Sequence, residues 1–376
     1  MTDVVDRYLR LGLRLGRLED GLVDTYFGPP EIAAEVDAAP PPTAAAVADE
    51  AEALLCDLPD GWLRDQVTGV RTYAGVLAGQ TYTFADEVHG CYGVRPAYTD
   101  ESIFEAAHEQ LADLLPGVGP VGDRLMAWRK AQFVAAEQVE PLVAQVIARA
   151  RAWTDDLVAL PEGEGVELEI VRDQTWSGFN QYLGDLRGRV SVNADLPRPP
   201  MELLHLTLHE TYPGHQAERA LKDHLLVREQ GRLEETLVLG PTPQSLISEG
   251  LAEVAPRLVL AGPAGPEIAA GLGLDLDHAL AVDAAVDVLR WAEVNAALLR
   301  YESGAGDAEV HAYLCRWGLM EGELADHVLR FMDAPGNRTY LVVYPAGRDL
   351  CRSFVDGDLG RFRRLLTEQI RVYDLL

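Results

Sequence analysis

Leu203 to Glu218 reads LLHLTLHETYPGHQAE and places three histidines, two glutamates and a Pro-Gly pair within sixteen residues. A His-Glu pair followed by a second His is a metal-ligating pattern. In HExxH the two imidazoles stand one helical turn apart, and the Glu acts as general base toward a metal-bound water. Here His215 follows His209 by six positions rather than four. At about 100° per residue, positions i and i+4 lie about 40° apart, and i and i+6 about 120° apart. A straight helix therefore cannot turn both rings to one ion. Pro213 removes a ladder bond and clashes with the carbonyl four residues back, that of His209. Gly214 admits an unusual turn at low cost. The expectation is a helix broken at Pro213-Gly214 that swings His215 back toward His209. A rival pair, His205 and His209 at i and i+4, needs no break, but it leaves the Pro-Gly pair without a purpose.

A site with two histidines needs a third protein ligand and an open position. Glu249 supplies a candidate, in an otherwise apolar segment around Leu246, Ile247, Leu251, Ala252 and Val254, where an unpaired carboxylate is costly. Glu253 lies one turn further on and can accept the free ring N–H of a liganding His. Gly250 between them signals the close approach of another element. Later, NRTYLVVYPAGRDL at 337–350 sets Arg338, Tyr340, Tyr344 and Arg348 among apolar residues. Tyr340 and Tyr344 are candidate donors to a developing oxyanion. Arg338 and Arg348 are candidates for holding a substrate carboxylate.

Helical spacing dominates the first 160 residues. Residues 3–25 (Val4, Tyr8, Leu11, Leu15, Leu18, Leu22), 44–57, 61–79, 101–115 and 121–156 read as helices, and 80–100 as a short helix and loop. The period changes at 166–171 and again at Arg189–Asn193, two alternating strands separated by a loop with Trp176, Gly178, Phe179 and Tyr182. Such a hairpin edge, ending at Asn193, offers an extended substrate a strand to pair with. A loop is expected at 229–243. Helices are expected at 266–303 (one or two), 307–318, 322–333 and 358–375, with a break at Asp333–Gly336. The division that follows is an N-terminal helical subdomain, 1–160, and a catalytic subdomain, 161–376.

Composition narrows the function classes. The 376 residues carry a net charge of −28 and a pI near 4.6, which disfavours nucleic acid and anionic membranes as partners. Lysine is confined to Lys130 and Lys222. No apolar run reaches membrane-helix length, and the charged N-terminus has no signal-peptide core, so the expected address is cytoplasmic. Cys56, Cys91, Cys315 and Cys351 are scattered and indicate neither a disulfide framework nor a cysteine metal site.

HETYPGH, EGLAE and PGNRTYLVVYPAG together resemble the bacterial domain-of-unknown-function 885 family, which is similar to the gluzincin metallopeptidases, a mostly helical clan with thimet-type oligopeptidases and Taq-type carboxypeptidases. The resemblance covers about residues 160 to 350 and departs from the family pattern at Gln216, Glu218 and Leu251. It implies His209, His215 and Glu249 as zinc ligands, Glu210 as base and Tyr344 as oxyanion donor, and it favours His215 over His205. The expectation is a mainly α, gluzincin-like fold with a small β hairpin or sheet beside the cleft. The expected activity is that of a zinc metallohydrolase, a metallopeptidase acting on a peptide or small amide, in carboxypeptidase fashion if an arginine reads the substrate terminus. Hydrolysis of a non-peptide amide or ester on the same zinc is the near alternative. A non-catalytic metal- or ligand-binding helical protein is the distant one. Nothing in the residues fixes an oligomeric state.

Overall fold

The computed structural model describes residues 3–174, 176–334 and 336–376; Pro335, part of the expected break, lies outside them. Helices come first: α1 Asp3–Gly16, a strand β1 Val23–Tyr26, then α2 Pro30–Ala38, α3 Ala44–Asp57, α4 Trp62–Leu77, α5 Phe84–Tyr92, α6 Glu101–Leu114, α7 Val121–Lys130 and α8 Ala136–Val158. Three strands follow, β2 Gly165–Val171, β3 Gly178–Gly184 and β4 Arg187–Asn193. The remainder is α9 Pro200–Glu210, α10 His215–Lys222, β5 Leu237–Leu239, α11 Pro243–Ala261, α12 Gly265–Gly271, α13 Leu276–Leu289, α14 Trp291–Tyr301, α15 Asp307–Trp317, α16 Gly322–Asp333, α17 Val343–Val355 and α18 Leu359–Thr367. The fold is mainly α with small sheets, as the periodicity implied.

Several elements differ from their sequence pattern, each for a tertiary reason. The first helix stops at Gly16 instead of running to 25, because Val23–Tyr26 pairs antiparallel with β5. That pairing also makes a strand out of the expected loop at 229–243, where Leu237, Val238 and Leu239 are all buried. The stretch 121–156 is two helices, split where the Val134 N–H donates to the Arg198 carbonyl at 3.0 Å. Residues 266–303 hold three helices, and the last helix ends at Thr367, leaving a single tight turn at Val372–Leu375.

The expected hairpin is also rearranged. Strands β2 and β4 are parallel neighbours, with Leu168 opposite Val190, and the segment between them is not a loop but β3, paired antiparallel with β4 in the order β2-β4-β3. The hairpin turn is Asp185-Leu186, with φ of 51° and 63°. A two-residue turn with both φ positive matches strand twist, but Leu in that position gives no sequence signal. Val190, Val192 and Ala194 pack with Val139, Val143 and Leu203, so the sheet seats on α8 and α9.

Buried residues from both sides of position 160 share one core. Tyr8, Leu15, Val67 and Val70 belong to the same cluster as Leu204, Leu208, Leu246, Leu251 and Phe362. A second cluster joins Phe104, Leu111 and Leu125 to Val282, Leu289 and Trp317. The expected division at 160 therefore does not coincide with a break in the core.

Helices α11 and α17 cross at Gly250 and Gly347. A Cβ on Gly250 would lie 2.2 Å from the Gly347 carbonyl oxygen, and one on Gly347 would lie 2.3 Å from that of Leu246. No side chain fits between them, so the two backbones are in direct contact. Gly250→Ala is expected to destabilise the fold by about 1–3 kcal/mol through overpacking. The check is the midpoint of urea unfolding against wild type; an unchanged midpoint would mean that the crossing opens freely.

Candidate metal centre

The helix carrying His205 and His209 ends at Glu210. Its last turn closes with the Thr211 N–H on the Thr207 carbonyl at 3.0 Å. The chain then turns through Tyr212-Pro213-Gly214, with the Tyr212–Pro213 peptide cis, and restarts as α10 at His215. Gly214 makes this return tight: a Cβ there would stand 1.9 Å from the His209 carbonyl oxygen and 2.5 Å from that of Leu208. The Gly214 N–H donates to the Leu208 carbonyl at 3.1 Å. Tyr212 is fully buried and donates its hydroxyl to Glu164. Glu164 also accepts from Gln216 Nε2 at 3.2 Å and pairs with Arg151 at 3.0 Å. The break is thus pinned from both sides.

The result is convergence. His215 Nε2 lies 3.1 Å from His209 Nε2. Glu249 Oε2, on α11, lies 3.2 Å from His209 Nε2 and 3.7 Å from His215 Nε2. These three atoms all fall within 4.8 Å of one another. Glu249 Oε1 accepts the Tyr340 hydroxyl at 2.8 Å, whereas Oε2 is buried with no hydrogen-bond partner among the described residues. An orphaned carboxylate oxygen facing two imidazole nitrogens fits a metal ion, and the two-His, one-carboxylate set suits zinc.

The surrounding charges favour a cation. Burial alone would lower the His209 pKa, but Glu249, Glu210 and Glu253 outweigh it and push it up to about 9. Burial raises Glu249, yet His215 and His209 hold it well below the carboxylate range. Burial raises Glu210 above its ordinary value, with His209 and His215 pulling the other way. Tyr344 is raised well above 10, by burial first and then by Glu249, Glu253 and Glu210, so its hydroxyl stays protonated. It packs edge-on against the Tyr340 ring at 5.6 Å and under the Arg290 guanidinium at 5.5 Å.

His205, His209 and Glu253 form a second three-residue group. It approaches the other nitrogen of the shared ring, with His209 Nδ1 3.7 Å from Glu253 Oε1 and His205 Nε2 3.5 Å from Glu253 Oε2. Glu253 is already neutralised there by Arg290 at 2.6 Å. Glu253, expected to accept a ring N–H, sits beside the other nitrogen of His209 but beyond hydrogen-bond distance of it.

A cavity of about 340 Å³ opens over the centre, and His209, Glu210, His215, Glu249, Tyr340 and Tyr344 all line it. The three expected substrate contacts are elsewhere. Arg338 forms a two-pronged pair with buried Glu87, outside this cavity. Arg348 is buried against the Asp287 carboxylate at 3.2 Å and the Asp287 carbonyl at 3.2 Å. Asn193 is spent on its own loop, donating to the carbonyls of Gln174 at 2.9 Å and Trp176 at 3.1 Å and accepting from the Asp195 N–H at 3.0 Å.

Sequence reasoning missed the groups behind His215. Ser248 Oγ lies 3.3 Å from His215 Nδ1 and donates to buried Glu218, which takes Lys222 Nζ at 2.8 Å. With the serine proton committed to Glu218, His215 Nδ1–H is the donor, which leaves the Nε2 lone pair free beside His209 Nε2. Burial pushes Glu218 up, but Lys222, Arg219 and Ser248 outweigh that and hold it at about 2. The available signal was Lys222 itself, one of two lysines in the chain, seven residues after His215.

No protein-family model matches the chain, and no curated protein does. Among solved structures it is similar to a "putative lipoprotein" from Colwellia psychrerythraea, at 16% identity and a TM-score of 0.55, covering 92% of this chain and 61% of that one. It is also similar to a "putative lipoprotein of unknown function" from Shewanella oneidensis, at 12% identity and a TM-score of 0.54, covering 96% and 68%. The chain thus spans about three-fifths of the length of the first of these. Identities this low show a shared fold. No helix among the described residues is long and apolar enough to cross a membrane.

Two substitutions test the architecture of the centre. Gly214→Ala is expected to abolish stoichiometric zinc binding by forcing His215 away from His209. Ser248→Ala is expected to weaken zinc binding about 10- to 100-fold, the usual loss when a ligand's supporting partner is removed. Competition against a chelating dye reads both, with circular dichroism as the check on folding.

Proposed function

We propose that this protein is a zinc-dependent hydrolase acting as a metallopeptidase. The observation that carries the reading is the meeting of His209 Nε2, His215 Nε2 and Glu249 Oε2 within 4.8 Å on the wall of a cavity that also presents Glu210 and Tyr344. Membership of the gluzincin-like family that the motifs resemble is part of the same proposal.

His209, His215 and Glu249 would hold the ion, and zinc bound there supplies Lewis acidity to a scissile carbonyl and to water. Glu210 takes the water proton and returns it to the leaving amine; its raised pKa suits a group that must hold that proton between the two steps. Tyr344 donates its hydroxyl to the oxyanion that develops on the substrate. Tyr340 fixes Glu249 through Oε1, leaving Oε2 for the ion. The outer strand β3 reaches the cavity at Gly178 and Phe179, and its free edge suits an extended peptide more than a compact amide or ester.

The cytoplasmic address is part of the same proposal. The lipoprotein wording attached to the two structural neighbours concerns those proteins, and the likeness to them carries the fold only.

The test combines metal content with turnover. Wild type purified without chelator is expected to hold about one zinc per chain, and His215→Ala none. Glu210→Gln is expected to keep its zinc and to lose at least about 100-fold in cleavage of a mixed peptide pool. Wild type that takes up no zinc on reconstitution, or leaves the pool uncut, overturns the reading.

A further inference from the structure

Two buried polar atoms of the cavity wall have no hydrogen-bond partner among the described residues. Glu249 Oε2 faces the metal centre. The other is Asn180 Nδ2, on a residue only 8% exposed. A buried amide left without a partner is costly, and this one lines the cavity.

Strand register shows which face it occupies. Gly178, Asn180 and Tyr182 share one face of β3. At one end of that face Gly178 packs against the Leu206 side chain; at the other the Tyr182 hydroxyl donates to Asp223 at 2.7 Å. On α10, Arg219 follows His215 by one turn and so lies on the same helix face. Asn180 stands between Gly178 and Tyr182 on that face, and it and Arg219 both line the cavity. Arg219 is also only 8% exposed and is the one arginine or lysine on the cavity wall among the described residues. Among the described residues its guanidinium makes a single hydrogen bond, Nη2 to Asp24 at 3.2 Å, which leaves most of its donors unused there.

We infer that Asn180 and Arg219 form a carboxylate-binding subsite beside the metal centre, which takes the free C-terminal carboxylate of a peptide. The inference rests on the hydrolase reading. A guanidinium fork and an amide N–H₂ are donor groups suited to a carboxylate. The rest of the wall, with Glu19, Asp20 and Glu210, repels one, so the anion has a single place to settle. The role that Arg338 and Arg348 are too far committed to fill passes to Arg219, one turn after a proposed zinc ligand.

The test is calorimetric titration of zinc-loaded Glu210→Gln protein with three probes. These are an N-acetylated tripeptide with a free carboxylate, its C-terminal amide, and a tripeptide amide with glutamate in the middle. The free acid is expected to bind about 10- to 100-fold more tightly than its amide, the worth of hydrogen bonds to a charged group. That ratio is expected to fall toward one when Arg219→Gln, and separately Asn180→Ala, is added to the same background. Equal binding of acid and amide, no binding of either, or an unchanged ratio in both variants would overturn the subsite. Glutamate amide binding as well as the free acid would put a side-chain carboxylate there and overturn the terminal assignment. Turnover of the acid by wild type is read separately. Acid-selective binding without turnover would sink the hydrolase reading alone, and turnover without acid preference would sink the subsite alone.

Discussion

The α-carbon of Gly214 lies against the carbonyl oxygens of Leu208 and His209, and the chemistry of the centre depends on that contact. Two imidazoles six residues apart on a regular helix face different directions. Ending one helix at Glu210 and starting the next at His215 brings their Nε2 atoms to 3.1 Å. Any side chain at position 214 would overlap backbone, and backbone cannot rotate aside. The buried Tyr212–Glu164–Arg151 connection then ties the turn to α8 and to the start of the sheet, so the geometry does not rest on a flexible loop.

A second backbone contact brings in the remaining parts. Gly250 on Gly347 lets α11 and α17 touch, and the groups next to the crossing are the ones the centre uses: Glu249 from one helix, Tyr344 from the other, and Tyr340 from the turn just before it. Residues about a hundred positions apart in sequence are thereby held in register by two missing side chains. Glycines are dear in helices, and here each one allows a contact that alanine would prevent.

The candidate metal group was legible in the sequence because its signs are local: His209, Glu210 and His215 sit within one short stretch, and Glu249 is a carboxylate in apolar company. The helical pattern was legible for the same reason. The arginines were not, because the partner of a charge is set by the tertiary fold. Arg338 is neutralised by Glu87, 251 residues away, and Arg348 by Asp287, 61 residues away; no periodicity announces either. Strand β3 was hidden by the glycines at its two ends, Gly178 and Gly184, and by a Leu in a left-handed turn position. Arg219, one turn after His215, lies on the same helix face as that candidate ligand.

The hydrogen bond from Tyr340 to Glu249 Oε1 also bears on which ion such a centre can choose. With one oxygen engaged by a phenol, the carboxylate presents the other to the two imidazoles, which favours coordination through that oxygen alone. A cation seated there would meet three protein donors, two of them nitrogen. Calcium, which requires six to eight oxygens, and magnesium, which holds its octahedron of oxygens and waters, are poorly served by that set. First-row ions content with four or five ligands and fond of imidazole are well served. A tyrosine that touches no metal would thus act as a filter on coordination number, narrowing the choice among ions before affinity is considered.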